Sequence, residues 1–247
     1  MKLEIKGHVG VGDLIVQCGI FDALLERYQP KAVCIPCSQE GLLTARHLLF
    51  PIAEKRGVKK VHIRTVPSLA DVDRIHRSNY WQDSKVVKIG VSAPAFEYRR
   101  WDASFYFQAG LNLSDRFTRF SLPGDVWDPK SNPIWSYLLR RGKQKLILFH
   151  EVGARSKRLP AAVWERFRNK SGDWLLSIVS HGSLLWWAPI MREADELHLV
   201  DSAPANLANS IKLKGCLNIY AMNTPPPSNL NPENQTLVHY VGNWRKP

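Results

Sequence analysis

With 247 residues, 45% of them hydrophobic and 23% charged, the chain can bury one sizeable core or two smaller ones and has the composition of a soluble globular protein. No apolar run approaches the ~20 residues of a membrane span, the start lacks the order of a secretory leader, and four cysteines in a chain this long exclude a disulfide framework. Lys and Arg number 34 against 22 Asp and Glu, a net +12, so the expected partners are anionic: nucleic acid, acidic headgroups or phosphorylated sugars.

A strand over Leu3–Lys6 runs into Gly7-His8-Val9-Gly10-Val11-Gly12-Asp13 and an amphipathic helix near 14–28. Glycines such as Gly10 and Gly12 let backbone approach a ligand closely, and the helix start offers free N–H groups. The order G-x-x-G-x-G is not the dinucleotide fingerprint, and the next strand, Ala32–Cys37, ends without an acid to hold a ribose. A nicotinamide cofactor is not expected. Cys34-Ile35-Pro36-Cys37 has the spacing of half a zinc site but no second half follows, so it reads as buried strand and no metal is expected. The reduced cysteines fit a cytoplasmic setting.

Helices near 40–56 and 68–79 alternate with strands over Lys60–Thr65 and Val86–Val91. Asp71-Val72-Asp73 has the form of a metal-nucleotide pair, but it falls on a helix, where alternate positions diverge, and reads as surface. From Phe96 to Gln108 aromatics interleave with cations in a helical segment. Two roles stay open there: core aromatics, or a nucleic-acid surface in which Arg99, Arg100, Trp101 and Tyr106 meet phosphate and stack on bases. Pro123–Pro129 reads as a connector, which puts domains at 1–125 and 126–247.

After the connector the alternation restarts. Strands are expected at Lys145–His150, Trp174–Ser180, Glu196–Val200 and Cys216–Ala221, with helices at Pro160–Asn169, Leu184–Ala194 and Pro204–Lys214. The tail beyond Pro225 reads as irregular. Two runs of βαβ units imply an α/β protein of two Rossmann-like parallel-sheet domains facing a cleft, with ligands at the carboxyl edges of the sheets.

Three segments fall at the predicted edge of the second domain. The first is His150-Glu151-Val152-Gly153-Ala154-Arg155-Ser156-Lys157-Arg158-Leu159-Pro160. It belongs to a stretch, 140–170, with ten basic and two acidic residues. Its cations precede a helix start and suit phosphate. The second, Ser180-His181-Gly182-Ser183, ends a strand; the third, Asp201-Ser202-Ala203-Pro204, starts a helix. Each has a plain alternative: His150 as a core histidine, Asp201 as a helix cap, Lys157 as a solvated cation.

These residues give the chain a resemblance to the two-Rossmann-domain glycosyltransferases called GT-B, and within them to the bacterial lipopolysaccharide heptosyltransferase family. That family opens with a strand, a glycine loop ending Gly-Asp and a helix, matched here by Gly12-Asp13 and the helix after it. Its Lys-Arg/His-Trp-Pro stretch is echoed by Lys157-Arg158-Leu159-Pro160, with Leu159 for Trp. Its Asp-Thr/Ser-Gly-Pro-x-His-Leu-Ala segment is echoed by Asp201–Ala208, with Ala203 for Gly and Asn206 for His.

The resemblance implies that Asp13 is the general base on the acceptor hydroxyl. Lys157 and Arg155 would neutralise the donor diphosphate. Asp201, Ser202, Ala203 and the helix start would hold donor sugar and phosphate. His150, His181, Gly182, Gly10 and Gly12 complete the expected donor site. The co-substrate would be a UDP-sugar, with neither a cofactor nor a metal, and the chain would act as a monomer. In architecture and basic charge the chain is also similar to phage glucosyltransferases that modify hydroxymethylated cytosine in DNA. A DNA acceptor is therefore preferred narrowly over lipopolysaccharide or another saccharide, and a non-catalytic nucleic-acid-binding module is the competing class.

Overall fold

The computed structural model describes residues 1–67, 71–90, 93, 96–97, 100–140, 142, 144–152, 158–168, 172–179, 182–222 and 229–241, apart from the side chains of Asp73, Tyr137 and Met222. The chain divides into two compact units, Met1–Pro123 and Gly124–Pro247.

The first unit runs β1 (Lys2–Lys6), α1 (Val11–Tyr28), β2 (Ala32–Ser38), α2 (Leu42–Lys55), β3 (Lys60–Val66), α3 (Val72–Arg77), β4 (Lys85–Lys88), α4 (Trp101–Gln108) and α5 (Asp115–Thr118). Its sheet is parallel throughout, in the order β3-β2-β1-β4. Helix α1 is buried without a break from Leu14 to Leu25; a helix that is apolar on nearly every side belongs inside a domain. It packs on α2, α4 and α5. Leu3 and Ile5 of β1 and Val33 and Ile35 of β2 are at most 1% exposed, and each such side chain contributes roughly 1.5–3 kcal/mol through its removal from water.

The second unit begins with a 3-10 turn (Gly124–Trp127) and continues α6 (Trp135–Arg140), β5 (Leu146–His150), α7 (Ala161–Arg168) and β6 (Trp174–Ser177). Another 3-10 turn (Leu184–Trp187) leads into α8 (Ala188–Glu193), then β7 (Glu196–Val200), α9 (Ala203–Ser210), β8 (Cys216–Met222) and β9 (Thr236–Val241). The sheet is again parallel, in the order β6-β5-β7-β8-β9.

The tail corrects the expectation of irregular structure. Thr236–Val241 lies along β8 from Leu217↔Thr236 to Met222↔Val241, where it satisfies an edge that would otherwise be bare. Helix α3 and strand β4 are shorter than their sequence pattern suggests, and α4 starts only at Trp101.

Both sheets reverse direction once. In the first unit β1, β2 and β3 add one way and β4 returns to the other side of β1; in the second, β6 lies on one side of β5 and β7 on the other. The connections after the two flanking strands leave in opposite directions at such a switch point and open a crevice at the carboxyl ends. The two switch points lie at β1/β4 and at β5/β7.

Candidate active site

At the first switch point β1 ends in Lys6, whose side chain is 1% exposed. Its ammonium donates to the carbonyls of His76 (3.3 Å) and Ser78 (3.0 Å) and to Oδ1 of Asn79 (2.7 Å). Burial lowers its pKa even with Glu4 close by. Lys6 therefore ties the end of α3 to the sheet.

The loop after Lys6 is held from two sides. His76 Nε2 meets the Gly7 carbonyl at 3.2 Å. From below, the buried Gln17 amide donates to the carbonyls of His8 (3.3 Å) and Asp13 (3.0 Å), which joins the loop to the first turn of α1.

Gly10 caps α1 in an extended conformation, φ −67° and ψ 152°, that any residue can adopt. Its lack of a side chain matters for space. A Cβ there would lie 2.9 Å from Oδ2 of Asp13, so the glycine leaves room for the carboxylate to fold back over the helix start. Asp13 is the third helical residue, where the N-terminal dipole favours a negative charge. Its side chain is 25% exposed.

His8 is a residue the sequence analysis did not single out. Its Nδ1 lies 3.8 Å from Asp13 Oδ2, and its ring packs on Phe105 with centroids 4.9 Å apart. Burial, with the nearby His76, pushes its pKa down to about 4. At neutral pH the contact is therefore one between a neutral imidazole and a carboxylate, too long for a hydrogen bond. The available signal was a histidine two residues beyond a buried strand, inside a glycine-rich turn.

At the second switch point β5 ends in His150, 7% exposed, and β7 is followed by Asp201 and Ser202. The Asp201 N–H donates to the Tyr220 carbonyl at 3.1 Å. Ser202 is the N-terminal cap of α9, but its side chain makes no capping bond. Instead Oγ donates to the Val200 carbonyl at 2.9 Å and meets His150 Nδ1 at 3.1 Å. This contact bridges the carboxyl ends of β5 and β7. Burial lowers the His150 pKa to about 4, although Glu151 acts to raise it. Ala203 opens α9, with Pro204 in its first turn.

Gly182 is exposed with φ +76° and precedes the turn at Leu184, where Ser183 Oγ accepts from the Leu185 N–H at 3.3 Å. Arg155, Lys157, His181 and Arg99 lie outside the described residues. Gly12 is half-buried in the first turn of α1. Arg100 is exposed at the start of α4, and Trp101 sits edge-on to Phe105 at 5.2 Å.

Tyr106 corrects an expectation. It is fully buried and its hydroxyl donates to the Val16 carbonyl at 2.8 Å, so it is a core residue tying α4 to α1 and has no surface for a base to stack on. Of the cysteines, Cys18, Cys34 and Cys37 are buried free thiols. Burial raises their pKa values to about 12, 12 and 11, which suits small core side chains. No cluster of three or more metal-ligating side chains occurs among the described residues. No helix among them is long and apolar enough to cross a membrane.

Solved structures share this α/β architecture of two parallel sheets. A glycosyl transferase family 9 protein from Veillonella parvula DSM 2008 matches with a TM-score of 0.53 at 9% identity, covering 97% of this chain and 86% of that one. The E. coli ADP-heptose lps heptosyltransferase II matches with a TM-score of 0.56 at 12% identity, covering 99% of this chain and 92% of that one. No protein-family model and no curated protein sequence matches the chain. At these identities the likeness is one of fold, and the fold is the GT-B-like one expected from the sequence.

Proposed function

We propose that the chain is a glycosyltransferase that moves a sugar from a nucleoside-diphosphate sugar to an acceptor hydroxyl. The supporting observation is the fold likeness to two glycosyltransferases over 97% and 99% of the chain. Within that fold a half-exposed carboxylate, Asp13, stands at one switch point, and His150, Ser202 and the start of α9 stand at the other.

In this reading Asp13 takes the acceptor proton as the oxygen attacks the anomeric carbon. The bond from that carbon to the diphosphate breaks, and the nucleoside diphosphate leaves with the electron pair. Lys157, Arg155 and the N–H groups at the start of α9 offset the charge that develops on it. No metal takes part. The donor is a UDP-sugar, the chain acts as a monomer, and the three buried thiols suit a reducing cytoplasm.

For the acceptor we place a saccharide hydroxyl first. One of the structural neighbours is a lipopolysaccharide heptosyltransferase by its own description, and the burial of Tyr106 removes a stacking residue from the DNA reading. The net charge of +12 still favours an anionic acceptor, and hydroxymethylated DNA is the second reading.

Release of nucleoside diphosphate from a panel of UDP-, ADP- and GDP-sugars tests the proposal. Lipopolysaccharide core oligosaccharide is supplied in one arm and hydroxymethylated oligonucleotide in the other, with product mass as the readout. The expected result is a product one glycosyl unit heavier in the saccharide arm. Transfer to the oligonucleotide alone would reverse the acceptor order. No turnover with any donor, together with salt-sensitive DNA binding, would leave the binding module as the better account.

A further inference from the structure

In a parallel sheet every strand starts on the same edge, with neighbours about 4.8 Å apart. On that edge of the first unit's sheet Lys2 opens β1, Lys31 directly precedes β2, Lys59 precedes and Lys60 opens β3, and Lys85 opens β4. The register keeps them level. The Lys31 N–H donates to the Met1 carbonyl at 2.8 Å and the Lys59 N–H to the Lys31 carbonyl at 3.2 Å. Lys2 pairs with Ala32 and Ala32 with Lys60, while Lys85 pairs with Leu3. All five lysines are exposed, and none has an ion-pair partner among the described residues. Segments 1–2, 28–31, 54–60 and 80–85, which make up this edge, hold seven cations against two acids, Glu54 and Asp83. Of the seven, Arg56 is held by Asp22 and Glu26.

The same edge of the second unit's sheet is neutralised. There Lys145 pairs with Glu196 and Lys214 with Glu193, and the Asp195 carboxylate accepts from the Leu146 N–H at 2.8 Å. Like charges side by side on strand ends oppose folding, so the bare lysine row of the first unit answers to an anion outside the chain.

We infer that this lysine edge docks the protein on the surface of an anionic phospholipid bilayer. The inference goes beyond sugar transfer and uses no residue of either switch point. Two features favour a bilayer over nucleic acid. The five cations are all lysines, point charges without the arginine fork that grips single phosphates, and they lie in one row along strand ends, which suits a layer of headgroups. The aromatics beside them are packed. Trp81 has Lys2 Nζ over its ring at 5.8 Å and meets Tyr80 and His62 edge-on at 5.0 and 5.3 Å, which leaves little open face for a base. Trp and Tyr next to lysine are at home at headgroup level. The buried Glu4 carboxylate fixes the pair there by accepting from the Tyr80 N–H at 2.9 Å, with Tyr80 44% exposed. The carboxyl end of β1, five residues away or about 16 Å, stays clear of the docked surface.

Co-sedimentation of the intact chain with phosphatidylcholine vesicles, with and without phosphatidylserine, tests the inference at about 0.1 M and about 1 M salt. The edge variant is Lys31→Gln/Lys59→Gln/Lys60→Gln. The control, Lys130→Gln/Arg140→Gln/Arg168→Gln, removes the same charge from exposed positions of the second unit. Equal unfolding midpoints show that both keep the fold.

The native chain is expected to bind the phosphatidylserine vesicles alone, and to release them at the higher salt. Each lysine is worth about fivefold in affinity, so the edge variant should lose about 100-fold. The control should stay close to native, and Lys31→Arg/Lys59→Arg/Lys60→Arg should bind as the native chain does. Failure of the native chain to bind anionic vesicles overturns the inference, as does equal binding to neutral ones. Equal losses in the edge variant and the control would assign the attraction to net charge and overturn it too. Tighter binding, per phosphate, to a single-stranded oligonucleotide than to the vesicles, lost in the edge variant alone, would give the row to nucleic acid instead.

Discussion

The imidazole of His8 occupies the space that a side chain at position 90 would need: a Cβ on Gly90 would meet His8 Cδ2 at 2.2 Å and Nε2 at 2.5 Å. Gly90 also has φ +106°, in the region that L side chains avoid. Gln108 holds it there, accepting from its N–H at 2.6 Å and donating to its carbonyl at 3.2 Å. Gly90→Ala is therefore expected to cost about 1–3 kcal/mol of stability, read from urea unfolding midpoints. A variant as stable as the native chain would contradict this account of the first crevice.

Gly10 tests a different property. Its backbone suits any residue, so Gly10→Ala should leave the unfolding temperature close to native. The added methyl would nevertheless force the Asp13 carboxylate away from a 2.9 Å approach. A displaced catalytic group can cost on the order of 10²-fold in rate, so kcat should fall while the affinity for nucleotide stays. Native kcat in Gly10→Ala would mean that the position of this carboxylate is unimportant.

Asp13→Asn removes the proposed proton acceptor and keeps the shape. Transfer should be abolished with donor affinity nearly unchanged, as measured by calorimetry alongside the turnover assay. Affinity falling in step with rate would assign Asp13 to donor binding. EDTA should leave transfer unchanged; strict dependence on a divalent ion would contradict a mechanism based on cations and a helix start.

Acid stability has a defined sign. His8 and His150 lie at about 4 in the folded chain against an ordinary 6.5. Between those values the unfolded chain binds protons that the folded chain refuses. Stability from these groups is therefore complete above about pH 6.5 and falls as the pH drops towards 4, by a few kcal/mol in all. Burial lowers His198 and His239 in the same direction. Carboxylates act lower on the scale. Against the upward push of burial, Arg56 and Arg119 hold Asp22 below its ordinary 3.8, so its contribution is lost only as pH falls beneath that value. Unfolding midpoints should decline from pH 6.5 to 4.5, and less steeply in His8→Gln/His150→Gln. Parallel curves would contradict the assignment.

The buried pair Asp102–Arg116, 2.6 Å apart and at most 1% exposed, joins α4 to α5. Asp102→Ala removes the carboxylate from a buried ion pair and should cost about 3–5 kcal/mol in urea unfolding. A cost below 1 kcal/mol would mean that other groups carry the charge.

Much of the fold is legible in the sequence because burial is continuous along the strands: Leu146–Phe149, for example, are all 0% exposed, the pattern of a parallel strand covered on both faces. Strand β9 is less legible. Its residues are half-buried or exposed, and it follows a proline-rich stretch that reads as a loop. The aromatic segment near 100 misleads for another reason. Phe105 and Tyr106 face the core while Phe107 is 70% exposed, and period alone does not reveal which aromatics a neighbouring helix covers. At the site, strand ends and helix starts locate Asp13 and Ser202. The space that Gly10 leaves for Asp13, the packing of His8 on Gly90 and the His150–Ser202 bond depend on residues that only the folded sheet brings together.

The most direct measurement is backbone amide shift mapping of the intact chain during titration with UDP and UDP-sugars. The account expects the largest changes at His150, Ser202, Ala203 and their neighbours at the carboxyl ends of β5 and β7. Changes confined to the opposite ends of these strands, or no change with any nucleotide, would contradict it.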